Sequence, residues 1–206
     1  MTPEQWWGAA LFMLVSSITP GPNNTMLMAS GVHFGYRRTL AHLMGVQLGF
    51  GFMLIAVGLG LHAVLSQFPA FYDVVRFAGA AYMVWMAWSL ASARPQFQEQ
   101  AAIEQSAQNE LKPLGFWGAV LFQWVNPKAW VMAVTIMSAY VPPGAGLLQI
   151  APLGLMFAVL GFPCSSVWVG FGSALRSYLQ NPFRMRVFNC SMAAALLLSL
   201  YPMLSV

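Results

Sequence analysis

From Trp6 to Met28 the chain is apolar over the length of a bilayer, yet the five residues from Pro20 to Asn24 inside that run read Pro-Gly-Pro-Asn-Asn. These two features pull against each other. A run of about 20 apolar residues reads as a membrane-spanning helix. A proline at position i, however, removes the helix bond to the carbonyl at i−4. Pro20 therefore frees the Ser16 carbonyl, and Pro22 frees that of Ile18. Each group orphaned in lipid costs on the order of several kcal/mol, so such a break is tolerated only when buried in protein or facing a wet cavity. At about 1.5 Å per residue, Pro20 lies roughly 20 Å along the span, well inside the hydrocarbon. The expectation is a helical membrane protein built around an interrupted first span.

Composition supports the bilayer as solvent. Only 7% of the 206 residues are charged and 59% are hydrophobic, whereas a soluble domain carries roughly 25% charged residues. Six segments are apolar for long enough to span: Trp6–Met28, Leu40–Leu65, Ala70–Ala91, Phe116–Tyr140, Leu147–Phe171 and Val187–Leu204. Met1–Trp7 has no basic n-region and the apolar run behind it is too long for a secretory signal, so the first segment reads as a working span. Of the nine Lys and Arg residues, seven fall in the loops after spans 1, 3 and 5. By the positive-inside rule those loops are cytoplasmic and both termini are outside, which in a bacterial inner membrane is the periplasm. The net charge of +4 is therefore a topology signal and not a nucleic-acid footprint. Cys164 and Cys190 have no Cys-x-x-Cys spacing and read as small packing residues. His33, His42 and His62 show no metal spacing, and the spans contain no acid–base cluster. Neither a cofactor, a metal nor an enzyme is expected.

The polar tract 92–113 divides the chain three spans from three, giving one transporter domain over 1–206 with repeats at about 6–91 and 114–204. The first span of each half carries a break. Span 1 reads "LFMLVSSITPGPNNTMLM" and span 4 "VLFQWVNPKAWVMAV", and Pro127 frees the Gln123 carbonyl as Pro20 and Pro22 free theirs. Three spans per half is an odd number, so the second copy is inverted across the membrane, the transporter pattern of interrupted helices at matching positions. Beyond each break a half-helix starts with a positive dipole end. Asn23 and Asn24 are expected to cap one end, and Asn126 lies beside the other. An anion site with freed carbonyls nearby suits an amino acid, whose carboxylate and ammonium match the two halves.

Lys128 sharpens this reading. A charge at span depth costs about 2.5–3.5 kcal/mol on insertion scales and faces the interior. There it would attract a substrate carboxylate or lose and regain a proton during transport. Gln47 in span 2 is either an interhelical hydrogen bond or a pocket wall. Asp73 and Arg76, at i,i+3 in span 3, read as a local ion pair. Gly45–Gly51 and Gly79–Trp85 give small-residue faces for close packing, and Trp6, Trp7 and Trp117 fit an interfacial aromatic belt.

These motifs resemble the LysE/RhtB family of amino-acid exporters. The likeness rests on "TPGPNN", "HFGYRRTLAHLMGVQLGF", "GAAYMVWMAW" and "NPKAW", in order through nearly the whole chain, and within the family it is strongest to the cysteine/O-acetylserine exporter branch. The resemblance implies an all-α inner-membrane protein and a homodimer. It also implies export of a small neutral amino acid (cysteine/O-acetylserine-like or homoserine/threonine-like) driven by the proton-motive force. Family motif positions fall on Pro20, Gly21, Pro22, Asn23, Gly45, Gly49, Asn126, Pro127 and Lys128; Asn24 and Gln47 join the expected site from the residues themselves. Many relatives carry Asp where this chain has Asn23 and an acid where it has Phe50, so no carboxylate remains deep in the spans. A thiol-redox transporter of the wider superfamily would need paired cysteines in spans 1 and 4, which hold none. A channel differs from an exporter in ways the residues do not report.

Overall fold

The structure, a computed structural model, describes residues 1–61, 69–92, 113–142 and 145–198, with backbone alone at 61, 69–76, 78 and 79. The expected Asp73–Arg76 pair, Gly79, His62, nearly all of the polar tract 92–113 and the ends of spans 2 and 6 lie outside the described residues or side chains. What is described is helical throughout, with no strand among the described residues. In chain order the helices are α1 (Pro3–Ile18), α2 (Pro22–Ala56), α3 (Pro69–Ala91), α4 (Phe116–Val125), α5 (Pro127–Tyr140), α6 (Leu147–Leu175) and α7 (Pro182–Leu198). A short π-helical turn, Val57–Leu61, extends α2, and a 3-10 turn, Tyr178–Gln180, precedes α7.

Local chemistry sets the helix boundaries. Thr2 caps α1 in a reciprocal box: its hydroxyl accepts from the Gln5 N–H at 3.3 Å, and its own N–H donates to Gln5 Oε1 at 2.8 Å. The expected loop between Met28 and Leu40 does not exist. Helix runs on to Phe34, and the chain reverses at Gly35, whose φ of 76° and ψ of 170° suit only glycine. The two parts of α2, residues 22–34 and 36–56, then lie side by side. Ser30 Oγ sits 3.1 Å from His42 Nδ1, and Leu27 shares a packed cluster with Leu43 and Val46. Helix α7 likewise starts before the expected Val187, because Asn181 Oδ1 accepts from the N–H groups of Phe183 and Arg184 and Pro182 fits the first helical position.

Packing is close at several glycines of α2 and α6. A Cβ on Gly49 would meet Val120 Cα at 2.8 Å, and one on Gly45 would meet Ala119 Cβ at 2.7 Å, so the expected small-residue face of span 2 carries α4. Gly51 and Gly154 bring α2 against α6 in the same way, a Cβ on either meeting the other's carbonyl at 2.9 Å. Large apolar side chains face outward and amides face inward. Trp7, Trp88, Trp117 and Leu148 are 72–92% exposed, while Gln47, Gln123, Asn126 and Asn189 are buried to within 1%. Burial of amides beneath an apolar surface suits lipid and not water. By length and composition, Pro22–Gly60, folded back at Gly35, and Leu147–Leu175 are apolar enough to cross a membrane.

The two broken helices run in opposite senses. A Cβ on Gly8 would touch the Tyr140 ring, one on Gly21 would touch Lys128, and Asn23 bonds Gln123. As one residue number rises the other falls. The α1–α2 strand of the fold therefore passes the α4–α5 strand antiparallel, and the two meet at their breaks.

Candidate functional site

Both breaks form where the sequence places them, and most of the backbone groups they free are satisfied internally. The Ser16 carbonyl accepts from the Thr19 hydroxyl at 2.9 Å, and the Ile18 carbonyl from Trp168 Nε1 at 3.3 Å. The Gln123 carbonyl accepts from the Asn126 N–H at 3.3 Å. Asn24 does not cap α2 as expected. Its Nδ2 instead turns back to donate to the Ser17 and Thr19 carbonyls at 2.7 and 2.8 Å. Asn23 does not cap it either: residue Gly21 holds the cap position without a side-chain bond, and Asn23 pairs with Gln123. The amide finds a better partner across the bundle than at its own helix end. Asn126 behaves as expected, its Oδ1 capping α5 by accepting from the Lys128 N–H at 3.1 Å.

Lys128 links the two breaks. Its ammonium donates to the Thr19 carbonyl at 2.9 Å, the Thr19 hydroxyl at 2.8 Å and the Pro20 carbonyl at 3.3 Å. Those are the three donors an ammonium has. The Ser16 and Ile18 carbonyls, expected to be free for a substrate ammonium, are thus already met, and the neighbouring Thr19 and Pro20 carbonyls hold a lysine from the other broken helix. Gly21 leaves room for it, since a Cβ there would meet Lys128 Cδ at 2.8 Å.

A small cavity of about 30 Å³ lies at the crossing, space for a water or two. Of the residues singled out from the sequence, Gly21, Asn23, Asn24, Gln47, Asn126 and Lys128 line it. Pro20, Pro22 and Pro127 shape the breaks without lining the cavity, Pro22 and Pro127 as first residues of their helices. Gln47 is a wall and an interhelical bond at once: its Nε2 donates to Ser165 Oγ at 2.7 Å. Its Oε1 and the Ser17 hydroxyl are buried without a hydrogen-bond partner in the protein. Sequence reasoning missed Ser16, Ser17, Ser165, Phe50, Met132 and Phe157 as walls, and Gln123 as the partner of Asn23. Polarity close to a break was the available signal for Ser16, Ser17 and Gln123, and the family motif was the signal for Phe50; Ser165, Met132 and Phe157 had none. Among the described residues no Asp or Glu lines the cavity, and Lys128 is the one charged side chain.

The chain matches the family described as LysE type translocator over residues 14–200. It belongs to that family. Among curated LysE-type relatives, it is 31% identical over 201 residues to the cysteine/O-acetylserine efflux proteins of Escherichia coli (strain K12) and of Shigella sonnei (strain Ss046), covering 96% of this chain and 95% of each relative. The corresponding protein of Escherichia coli O1:K1 is similar to the same extent. No solved structure matches the chain. As a LysE-type translocator it is a helical membrane protein, and the broken-helix crossing lies within the matched residues.

Proposed function

We propose that this translocator exports small neutral amino acids or their derivatives, of the cysteine and O-acetylserine type, across the bacterial inner membrane. The names of its relatives support the substrate class. The observation that carries the reading is the bridge from Lys128 to the break of the opposite helix, in a cavity with no carboxylate among its described lining residues. Two half-helix N-termini and an ammonium make a positive site. The substrate carboxylate approaches Lys128 and the start of α5, and its ammonium competes with Lys128 for the Thr19 and Pro20 carbonyls. In the substrate-free protein, Lys128 acts as an internal stand-in for that ammonium and keeps the break satisfied.

At about 30 Å³ the cavity is closed to an amino acid, so transport requires the two repeats to part. The antiparallel crossing of the broken helices supports an arrangement of six spans in two inverted repeats, with the polar tract 92–113 between them. In that scheme the repeats rock about the crossing and expose it to either side in turn. The half-buried lysine, released from its carbonyls by substrate, takes the proton-coupling role that the resemblance assigns to an acid in relatives with Asp at position 23. The charge pattern supports periplasmic termini, and the family resemblance supports a homodimer. The test is efflux of O-acetyl-L-serine and L-cysteine from cells overproducing the protein, compared with an empty vector. Unchanged efflux from cells with the protein in their membranes would overturn the reading.

A further inference from the structure

A second and larger cavity, about 260 Å³, lies among α2, α3 and the C-terminal half of α7, and shares no lining residue with the first. At roughly 30 Å³ per water in the liquid, it has room for one solute of amino-acid size. Its walls are largely apolar, with Tyr82, Trp85 and Met86 from α3, and among the described residues no Asp, Glu, Lys or Arg lines it. Such a space with a few convergent polar groups is how small-molecule sites are built.

One of its polar groups lacks a partner. His42 is 1% exposed and lines the cavity, and its Nε2 has no hydrogen-bond partner in the protein. The other ring nitrogen lies 3.1 Å from Ser30 Oγ. With the Ser30 hydroxyl donating to Nδ1, the ring proton sits on Nε2 and a donor is left over. A buried orphan of this kind costs about 1–3 kcal/mol, and native proteins nearly always supply it with a partner. The second histidine of the wall, His33, is already held by Asn189 Oδ1 at 3.0 Å. The cavity also has a direction. At one end lie Phe34, beside the Gly35 turn, and Ser89 and Leu90, near the end of α3. At the other lies Met26, two residues past Asn24 of the central site.

We propose that this cavity is a second binding site for a small neutral amino acid, an antechamber between the cytoplasmic loops and the helix crossing. The ligand's carboxylate accepts from His42 Nε2, and its side chain lies along Tyr82, Trp85 and Met86. The proposal rests on the transport reading above for the identity of its ligand.

The test uses Ser89→Cys in a Cys164→Ser, Cys190→Ser background, with Met86→Cys as a second reporter should the first fail to insert. A small methanethiosulfonate is applied to inside-out vesicles with and without O-acetyl-L-serine. The expected result is modification at least threefold slower with O-acetyl-L-serine, still slowed in Lys128→Ala, and no longer slowed in His42→Phe. A rate that O-acetyl-L-serine leaves unchanged overturns the proposal and leaves the cavity to water. Protection lost in Lys128→Ala but kept in His42→Phe places the ligand at the helix crossing and also overturns it. Protection in vesicles that show no transport of O-acetyl-L-serine upholds this site and counts against the transport reading alone.

Discussion

Asn23 and Gln123, one hundred residues apart, exchange amide hydrogen bonds: Asn23 Nδ2 donates to Gln123 Oε1 at 2.8 Å, and Gln123 Nε2 donates back to Asn23 Oδ1 at 3.3 Å. The pair ties the second segment of one broken helix to the first segment of the other. Gln123 is fully buried and also donates to the Ala119 carbonyl at 2.8 Å. Gln123→Leu should therefore strand the Asn23 amide at a cost of about 1–3 kcal/mol. The Asn23→Leu, Gln123→Leu double variant should cost less than the sum of the two single changes. Thermal unfolding of the four proteins in detergent measures the coupling. Strict additivity would show that the two amides act independently.

Lys128→Ala removes the donors that satisfy the Pro20 carbonyl and one side of Thr19. The variant should insert, since the substitution removes a charge from a span, but export should fall at least tenfold. Lys128→Arg should not restore it, because a guanidinium does not release a proton and its planar fork does not fit where an ammonium meets two carbonyls and a hydroxyl. Efflux of O-acetyl-L-serine, normalised to protein in the membrane fraction, reads both. Gly21→Ala is the companion variant: its methyl group would push Lys128 off the break and should reduce export while keeping the lysine.

Why these prolines were legible and others were not is a matter of neighbours. Pro20 and Pro22 flank a glycine, and Pro127 follows an asparagine that prefers a cap to a helix interior, so the sequence itself marks both breaks. Pro152 and Pro163 stand alone in α6, and the helix runs through them. The meeting of the breaks was expected from their matching places in the two halves of the chain, and the Asn23–Gln123 and Lys128–Thr19 bonds join them. What was not legible is which group satisfies which carbonyl. A freed carbonyl accepts from an asparagine, a tryptophan, a lysine or a substrate, and only tertiary placement selects Asn24, Trp168 and Lys128 in this chain. The Gly35 reversal was hidden differently. One glycine replaces a loop, and the apolar pattern on either side suggested more chain between the spans than there is.

Close packing separates two glycines that the sequence does not distinguish. Gly49→Val would drive its branches into the α4 backbone at Val120, where nothing flexible can yield, and overpacking of this kind costs about 1–3 kcal/mol or more. A Cβ on Gly170, in α6, meets nothing within 4 Å, and Gly170→Ala should stabilise by about 0.5–1 kcal/mol through helix propensity. Melting temperatures should move in opposite directions. A Gly49→Val protein as stable as the parent would mean that α2 and α4 are farther apart than described.

The charge pattern sets the orientation. Glu4, exposed at the start of α1, and Ser177, exposed between α6 and α7 beside Arg176, should lie on opposite sides of the membrane, with Ser177 inside. In a background without Cys164 and Cys190, an impermeant thiol reagent should label Glu4→Cys but not Ser177→Cys in intact spheroplasts, and both after lysis. The reverse pattern would invert the topology.

Substrate charge is the most direct test of the electrostatics. Among the described residues, the central cavity has Lys128 as its one charged side chain and no Asp or Glu in its wall, and it faces the starts of α2 and α5. A lysine or arginine substrate would bring a second cation that nothing there neutralises, and an unpaired buried charge costs on the order of several kcal/mol. A zwitterion brings its own counter-charge, and its ammonium has the Thr19 and Pro20 carbonyls once Lys128 turns to the carboxylate. Replacing Asn23 by Asp would change that balance by adding a negative charge beside Gln123 and close to the break. The parent should therefore export O-acetyl-L-serine and cysteine at least tenfold faster than lysine or arginine, and Asn23→Asp should narrow the ratio. Both follow from timed efflux of isotope-labelled amino acids from preloaded cells. Faster efflux of lysine than of any neutral amino acid would mean that an acid outside the described side chains reaches the crossing, and that the site is not the positive one its lining residues make.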